Sequence, residues 1–372
     1  MTAVFFVNGV TFASWLPRIP EVRDRLDIGL AALGVVLLGT GLGGLLASAA
    51  GGALADRLGS RRSCVTAGVA LSAGLPLVAV ASTPLTLGLV LVGLGAVDVL
   101  TDIGMNVQAA QVQRQSSGSV MQRFHGAWSV GALVGASIAS VAAAAEVTLG
   151  LQLTVTSVVL VATVAIVARH LSPVDDAPAP RRGGARRLPV PALLAAVALT
   201  MAVVEGAPGE WAAVFGADVH GAGAGTAGLG FLAMSAGMVI GRFAGDAATD
   251  RLGPTRVLRL AFGTVVVGLA AVVASPDIAV AVAGFGVIGL GVSVLFPALY
   301  LSATDREGIP AGLGLGVMST GARLGFLLSP PLVGTVADAT SLRLSLAVTV
   351  GTAAAAALVL EAALSRAGRP AT

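Results

Sequence analysis

Apolar runs of about twenty residues follow one another along this chain, separated by short polar turns. At about 1.5 Å of rise per residue, a helix of that length matches the roughly 30 Å hydrocarbon core of a bilayer. Twelve segments are expected, at 1–17, 29–54, 63–81, 84–112, 121–145, 148–169, 190–216, 226–248, 256–275, 277–303, 311–336 and 342–365. The first rises only about 25 Å, less than the core, so either its natural start lies upstream or the helix is truncated. Charged residues make up 11% of the chain and hydrophobic ones 56%. A soluble domain carries about 25% charge, so this chain lacks the polar surface to face water all round. The expected fold class is an all-α membrane protein with twelve transmembrane helices.

The turns carry the second signal. GALADRLGSRR, from Gly52 to Arg62, separates the second and third segments, and DRLGPTR, from Asp250 to Arg256, separates the eighth and ninth. In each, glycine permits a backbone conformation that a Cβ would resist, and the Asp can accept from helix N-termini or pair with Arg. A chain that repeats its turn chemistry half a length later consists of two similar halves. The expected division is 1–171 and 189–372, joined by a Pro-, Gly- and charge-rich linker at 172–188.

The first stretch, Gly52, Asp56, Arg57, Gly59, Arg61 and Arg62 in the pattern G-x-L-A-D-R-x-G-x-R-R, resembles the signature loop of the major facilitator superfamily. The second copy keeps Asp250, Arg251, Gly253 and Arg256, with Asp246 where the first has Gly52. DIGMNVQAAQVQ (Asp102 to Gln113) and RFHGAWSVGALVGA (Arg123 to Ala136) resemble a bacterial inner-membrane subgroup distantly related to fucose permeases. The resemblance covers nearly the whole chain. It implies two pseudo-symmetric six-helix bundles around a central site that opens alternately to each side.

Arginine sets the expected orientation. There is no lysine, and the formal charge is +3. The turns after the second, fourth, sixth, eighth and tenth segments carry most arginines, whereas the other side has mainly Arg18, Arg23, Arg25 and Arg343. Under the positive-inside rule both termini face the cytoplasm, in a multi-pass protein of the bacterial cytoplasmic membrane. A basic balance can point to nucleic acid, but arginines confined to one side of a membrane argue against it. Cys64 is the sole cysteine, which excludes an intrachain disulfide and a cysteine-cluster metal site. No positive stretch precedes the first apolar run, so no secretory signal is expected.

Polar residues at bilayer depth are the candidate functional groups, because an ionisable side chain at a helix centre costs about 2.5–3.5 kcal/mol on the insertion scale. Asp98, Asp102 and Asn106 are spaced to share one face of the fourth segment. Two carboxylates so close repel, which favours a proton site, and an interhelical bond that only holds the bundle together is the alternative. Asn8-Gly9 before Trp15 is echoed by Glu205-Gly206 before Trp211, as expected of the first helices of two equivalent halves. Asn8 and Glu205 would then face each other across a central cavity. Glu210, beside Trp211, is expected in an outer gate or rim contact. His125 and Trp128 open the fifth segment, where the histidine either meets a carboxylate or sits at the interface. Arg323 is expected to be the only deep cation, facing a carboxylate or the solute, and Arg242 to pair with Asp246 four residues on. Pro297 should kink the tenth helix.

Gly39, Gly41 and Gly44 match a dinucleotide spacing, but they lie inside an apolar run with no preceding strand, so close helix packing is the better account. The same holds for Gly131/Gly135, Gly312/Gly316 and Gly321/Gly325. The fifth segment lacks the Gly-Pro motif of the superfamily's drug antiporters. No phosphate-binding Gly-Lys-Ser/Thr loop, HExxH or cysteine–histidine cluster is present. The expected function is therefore secondary transport of a small polar solute, sugar-like in character and coupled to protons, by a monomer without cofactor or metal. Efflux of a metabolite or amphiphilic drug is the alternative within the class. A non-transporting receptor or scaffold is the alternative outside it, and an enzyme is not expected.

Overall fold

A computed structural model describes residues 1–116, 121–171, 189–297, 299 and 311–367. Among these, twelve long helices coincide with the twelve apolar segments. We label them α1 (Thr2–Ala13), α2 (Leu30–Leu58), α3 (Ser60–Gly74, continued by Pro76–Val80), α4 (Pro84–Gln115), α5 (Met121–Ala144) and α6 (Leu149–Ala168) in the first half. The second half has α7 (Pro189–His220), α8 (Leu229–Leu252), α9 (Pro254–Val273), α10 (Ile278–Val292), α11 (Ala311–Ala339) and α12 (Leu342–Ala367). Ten candidate spans are long and apolar enough to cross a membrane. The two helices outside that set are α1, with 12 residues, and α11, which carries Arg323, Pro330 and Pro331. The linker expected at 172–188 lies outside the described residues.

Helix ends follow local chemistry. Past Ala13 the chain runs through two short helices, Leu16–Arg18 and Ile19–Leu26, each with a proline in its first turn, where the missing N–H costs nothing. A capping box between Thr83 and Thr86 starts α4, and the Asp277 side chain caps α10 at the amide of Val280. The tenth helix is interrupted just before Pro297. Helix α10 ends at Val292, Ser293–Val294 form a turn, and helical backbone resumes at Leu295. Proline has no N–H for the carbonyl four residues back, and its ring crowds that carbonyl, here Ser293.

The packing is symmetric. Helix α1 packs on α5 and α7 on α11; α2 packs on α4 and α8 on α10; α3 packs on α4 and α6, and α9 on α10 and α12. Each pair in the first half recurs six helices later. The two bundles meet mainly through α2 against α11 and α5 against α8, contacts that the same six-helix shift exchanges. Small residues set these pairs. A methyl on Gly131 or Gly135 would strike the carbonyl of Phe6 or Val10 on α1, and one on Gly321 or Gly325 would strike Ala195 or Leu199 on α7. Gly316 is a correction: among the described residues nothing lies within 4 Å of where its methyl would be, and Gly312 lies outside the described side chains.

Both signature turns have the same shape. Gly59 has φ 78° and ψ 148°, and Gly253 has φ 78° and ψ 154°, a conformation essentially reserved for glycine. We call the end of the molecule that carries them the turn end. At the far end, the four arginines that break the charge asymmetry are all engaged. Arg18 is buried, paired with Glu21 and bonded to Val147 O. Arg25 donates to the last carbonyls of α3 at Val78, Ala79 and Ala81, and Arg343 to Val273 and Ser275 at the end of α9, the partner positions of cations at helix C-termini. Arg23 bonds Asp218 of the other half at 2.5 Å. Burial works against that charge, and Asp218 and Asp24 outweigh it, so the Arg23 pKa is raised.

Candidate functional site

A cavity of about 430 Å³ lies between the halves. Asn8 and Phe12 on α1, Asp98 and Asp102 on α4, and His125 and Trp128 on α5 form one wall. Glu205 and Glu210 on α7, Arg242 on α8 and Arg323 on α11 form the other. The far end is sealed where Gly228 meets Pro17 and Ser140, and Gly225 meets Ala144. The cavity runs toward the turn end, where His125 is exposed.

The first wall is a hydrogen-bonded chain. Trp128 Nε1 donates to Asn8 Oδ1 at 2.7 Å, and Asn8 Nδ2 donates to Asp98 Oδ1 at 2.9 Å. One amide thus joins α1, α4 and α5, each polar atom answering a group that would otherwise be unpaired. Asn106 stands one turn from Asp102 and donates to its Oδ1 at 2.7 Å. It orients that carboxylate and does not itself reach the cavity lining. Arg323 acts electrostatically on both Asp98 and Asp102.

Arg242 is a correction to the expectation of one deep cation, and a site residue that the sequence pattern places only in a structural pair. Its guanidinium donates to Ser129 Oγ and to His125 O at 3.4 Å, lies 5.9 Å from the centre of the Trp128 ring, and acts on Glu205. It therefore bridges the halves at α5 and α8. The Asp246 side chain falls outside the described residues, so the expected Arg242–Asp246 pair does too. The signal that could have found Arg242 is the one that singles out Arg323: an ionisable residue inside an apolar run.

The remaining expected residues divide. Asn8, Asp98, Asp102, His125, Trp128, Glu205, Glu210 and Arg323 converge on the cavity. Trp15 lies in a side chamber of about 70 Å³ that shares Phe12, Leu16, Thr40, Asp98 and Glu210 with the cavity. Trp211 is fully buried, with its ring against Gly334 of α11, and faces away from the cavity. Its spacing from Glu205 differs by one residue from that of Trp15 from Asn8, which turns it to another face of the helix. In the signature turns, Arg61 donates to Ala168 O at 2.8 Å, while Arg62, Asp250, Arg251 and Arg256 are exposed. The side chains of Asp56 and Arg57 lie outside the described residues, as does all but the backbone of Gly52.

Among the described residues, four carboxylates and two guanidiniums face the cavity, beside apolar groups that include Phe231, Phe326, Met234 and Met238. Such a wall can hold a solute by hydrogen bonds and stacking.

Comparison with known proteins fits this architecture. The profile of the Major Facilitator Superfamily matches residues 1–308 and 217–371. An uncharacterized MFS-type transporter of Yersinia pestis is 30% identical over 342 residues, covering 91% of this chain and 88% of that one. A mutant of the nucleoside transporter NupG superposes with a TM-score of 0.79 at 13% identity, over 97% of this chain and 98% of that one. A bacterial homolog of the human lysosomal transporter Spinster, inward-facing and occupied, superposes at 0.77 with 14% identity, over 100% and 97%. At such identities the two structures show a shared fold.

Proposed function

The chain belongs to the Major Facilitator Superfamily, and on that premise we propose that it is a proton-coupled transporter of a small polar solute of sugar-like character. It is a multi-pass membrane transporter rather than an enzyme. The observation that carries the finer reading is the cavity wall, where four carboxylates, the Asn8 amide and two guanidiniums surround a space of about 430 Å³. Hydroxyl groups of a solute would find acceptors on every side, and Trp128 and Phe12 offer ring faces for stacking. In this reading the turn end and both termini lie in the cytoplasm of a bacterial cell, and 1–171 and 189–372 move as two bundles about the linker 172–188. Contacts of Asp56 and Arg57 hold the cytoplasmic side closed in one state, solute or proton binding shifts the balance, and the protein works as a monomer.

Screening purified protein for solutes that raise its unfolding temperature identifies the cargo, because a ligand of the folded state stabilises it. Proteoliposomes should then accumulate the hit against its gradient when a proton gradient is imposed. Uptake indifferent to that gradient would sink the coupling and leave facilitated diffusion. The apolar share of the wall, Phe231, Phe326, Met234 and Met238, favours a second reading, export of an amphiphile. In that case amphiphilic dyes would stabilise the protein where sugars and polyols do not.

A further inference from the structure

Glu210 stands apart from the other three cavity carboxylates. Asp98 has Asn8 and Arg323, Asp102 has Asn106 and Arg323, and Glu205 has Arg242. Among the described residues, Glu210 Oε2 is buried without a hydrogen-bond partner, and no ion pair or nearby charge acts on it. The charged groups of the surrounding elements are engaged elsewhere. Helix α8 presents Arg242, which acts on Glu205, and α11 presents Arg323, which acts on the two aspartates. At the far end, Arg18 is bonded to Glu21, Arg23 to Asp218, and Arg343 to the end of α9. Asp277 caps α10. Among the described residues, the one other charged group on the chamber wall is Asp98, another carboxylate.

That chamber is mostly apolar, with Thr11, Thr40 and the Trp15 indole as its other polar side chains. Leu37, Leu71, Leu75, Leu91 and Leu94 line it, and Asp98 and Glu210 stand where it joins the main cavity. Glu210 lines both spaces at this junction, with Oε2 buried. Gly206 packs under the Phe326 ring and Gly209 lies beside Phe231 and Met234, and Glu210 lies about 7.5 Å along α7 from Glu205, toward the sealed end. An isolated carboxylate against leucine is costly, and a proton removes the charge while turning an unpaired acceptor into a donor.

We propose that Glu210 is the carboxyl group that takes up and gives up a proton in this cavity. The proton arrives from water at the open side and leaves to water at the other, with no bond made or broken besides O–H. This rests on the proton-coupled reading above and names its site, at a residue the sequence placed only in an outer gate or rim contact. The position suits a proton carrier, since Glu210 faces the open cavity on one side and the chamber toward the sealed end on the other.

Infrared difference spectra of the protein in lipid, taken between mildly acidic and mildly alkaline buffer, test it without any solute. Wild type should show the C=O stretch of a carboxyl group that loses its proton across this range. Glu210→Gln should abolish that band, Glu205→Gln should keep it, and Glu210→Asp should retain a band at shifted position if Glu210→Gln fails to fold. A band that survives Glu210→Gln, or a wild type with no titrating band, overturns the assignment. A Glu210 band in a protein whose solute accumulation ignores a proton gradient would sink the coupling and leave the proton site standing. Proton-driven accumulation with a band that survives Glu210→Gln would do the reverse.

Discussion

Arg23 and Asp218 meet at 2.5 Å across the two halves of the molecule, at the end away from both signature turns. Each is partly accessible, at 16% and 26%, so the pair is worth no more than about 1 kcal/mol. That is small against folding, yet it weighs directly on whether the far end stays shut. Asp218→Ala should shift the population toward an open far end by up to about fivefold. Spin labels at the exposed positions Ala145 and Ala224 would report it as a longer distance component. An unchanged distance distribution would show that apolar contacts alone keep this end closed.

Asn8 should be the most sensitive uncharged residue of the site. Asn8→Ala leaves both the Asp98 carboxylate and the Trp128 indole N–H without their hydrogen-bond partner, at a cost of about 1–3 kcal/mol for each group. The expected outcome is a lower unfolding temperature and a changed tryptophan emission spectrum. If both stay as in wild type, the chain from Trp128 to Asp98 carries no weight.

The symmetric glycine contacts predict symmetric damage. Gly131→Ala and Gly321→Ala should destabilise by similar amounts, about 1–3 kcal/mol, since each methyl meets a carbonyl on the facing helix. Gly316→Ala, whose methyl meets none of the described residues, should be neutral or gain up to about 1 kcal/mol from helix propensity. Thermal unfolding in detergent ranks the three, and a Gly316 variant as damaged as the others would refute the packing account.

Topology has its own test. Cysteines introduced singly between 172 and 187, in a background lacking Cys64, should react with a membrane-impermeant maleimide only in inverted vesicles. Labelling in intact cells would reverse the orientation.

The sequence by itself determined the number of helices, their order and the repeat of turn chemistry. Those features follow from one-dimensional quantities: the length of apolar chain that crosses hydrocarbon, and the charged, glycine-containing turns that interrupt it. Asp98, Asp102, Glu205 and Arg323 were legible for the same reason, since a charge inside an apolar run stands out wherever the run is folded. Only the tertiary structure decided what each charge meets. Helix faces toward lipid and toward protein are both apolar here, so no periodicity shows which way a residue turns. Hence Trp211 lies buried beside Gly334, Arg242 reaches the cavity and bonds Ser129, and Asn106 serves Asp102 from outside the wall. The isolation of Glu210 could be read from nothing but the arrangement of its neighbours, because the absence of a partner is a property of the space around a group and of no residue in the chain.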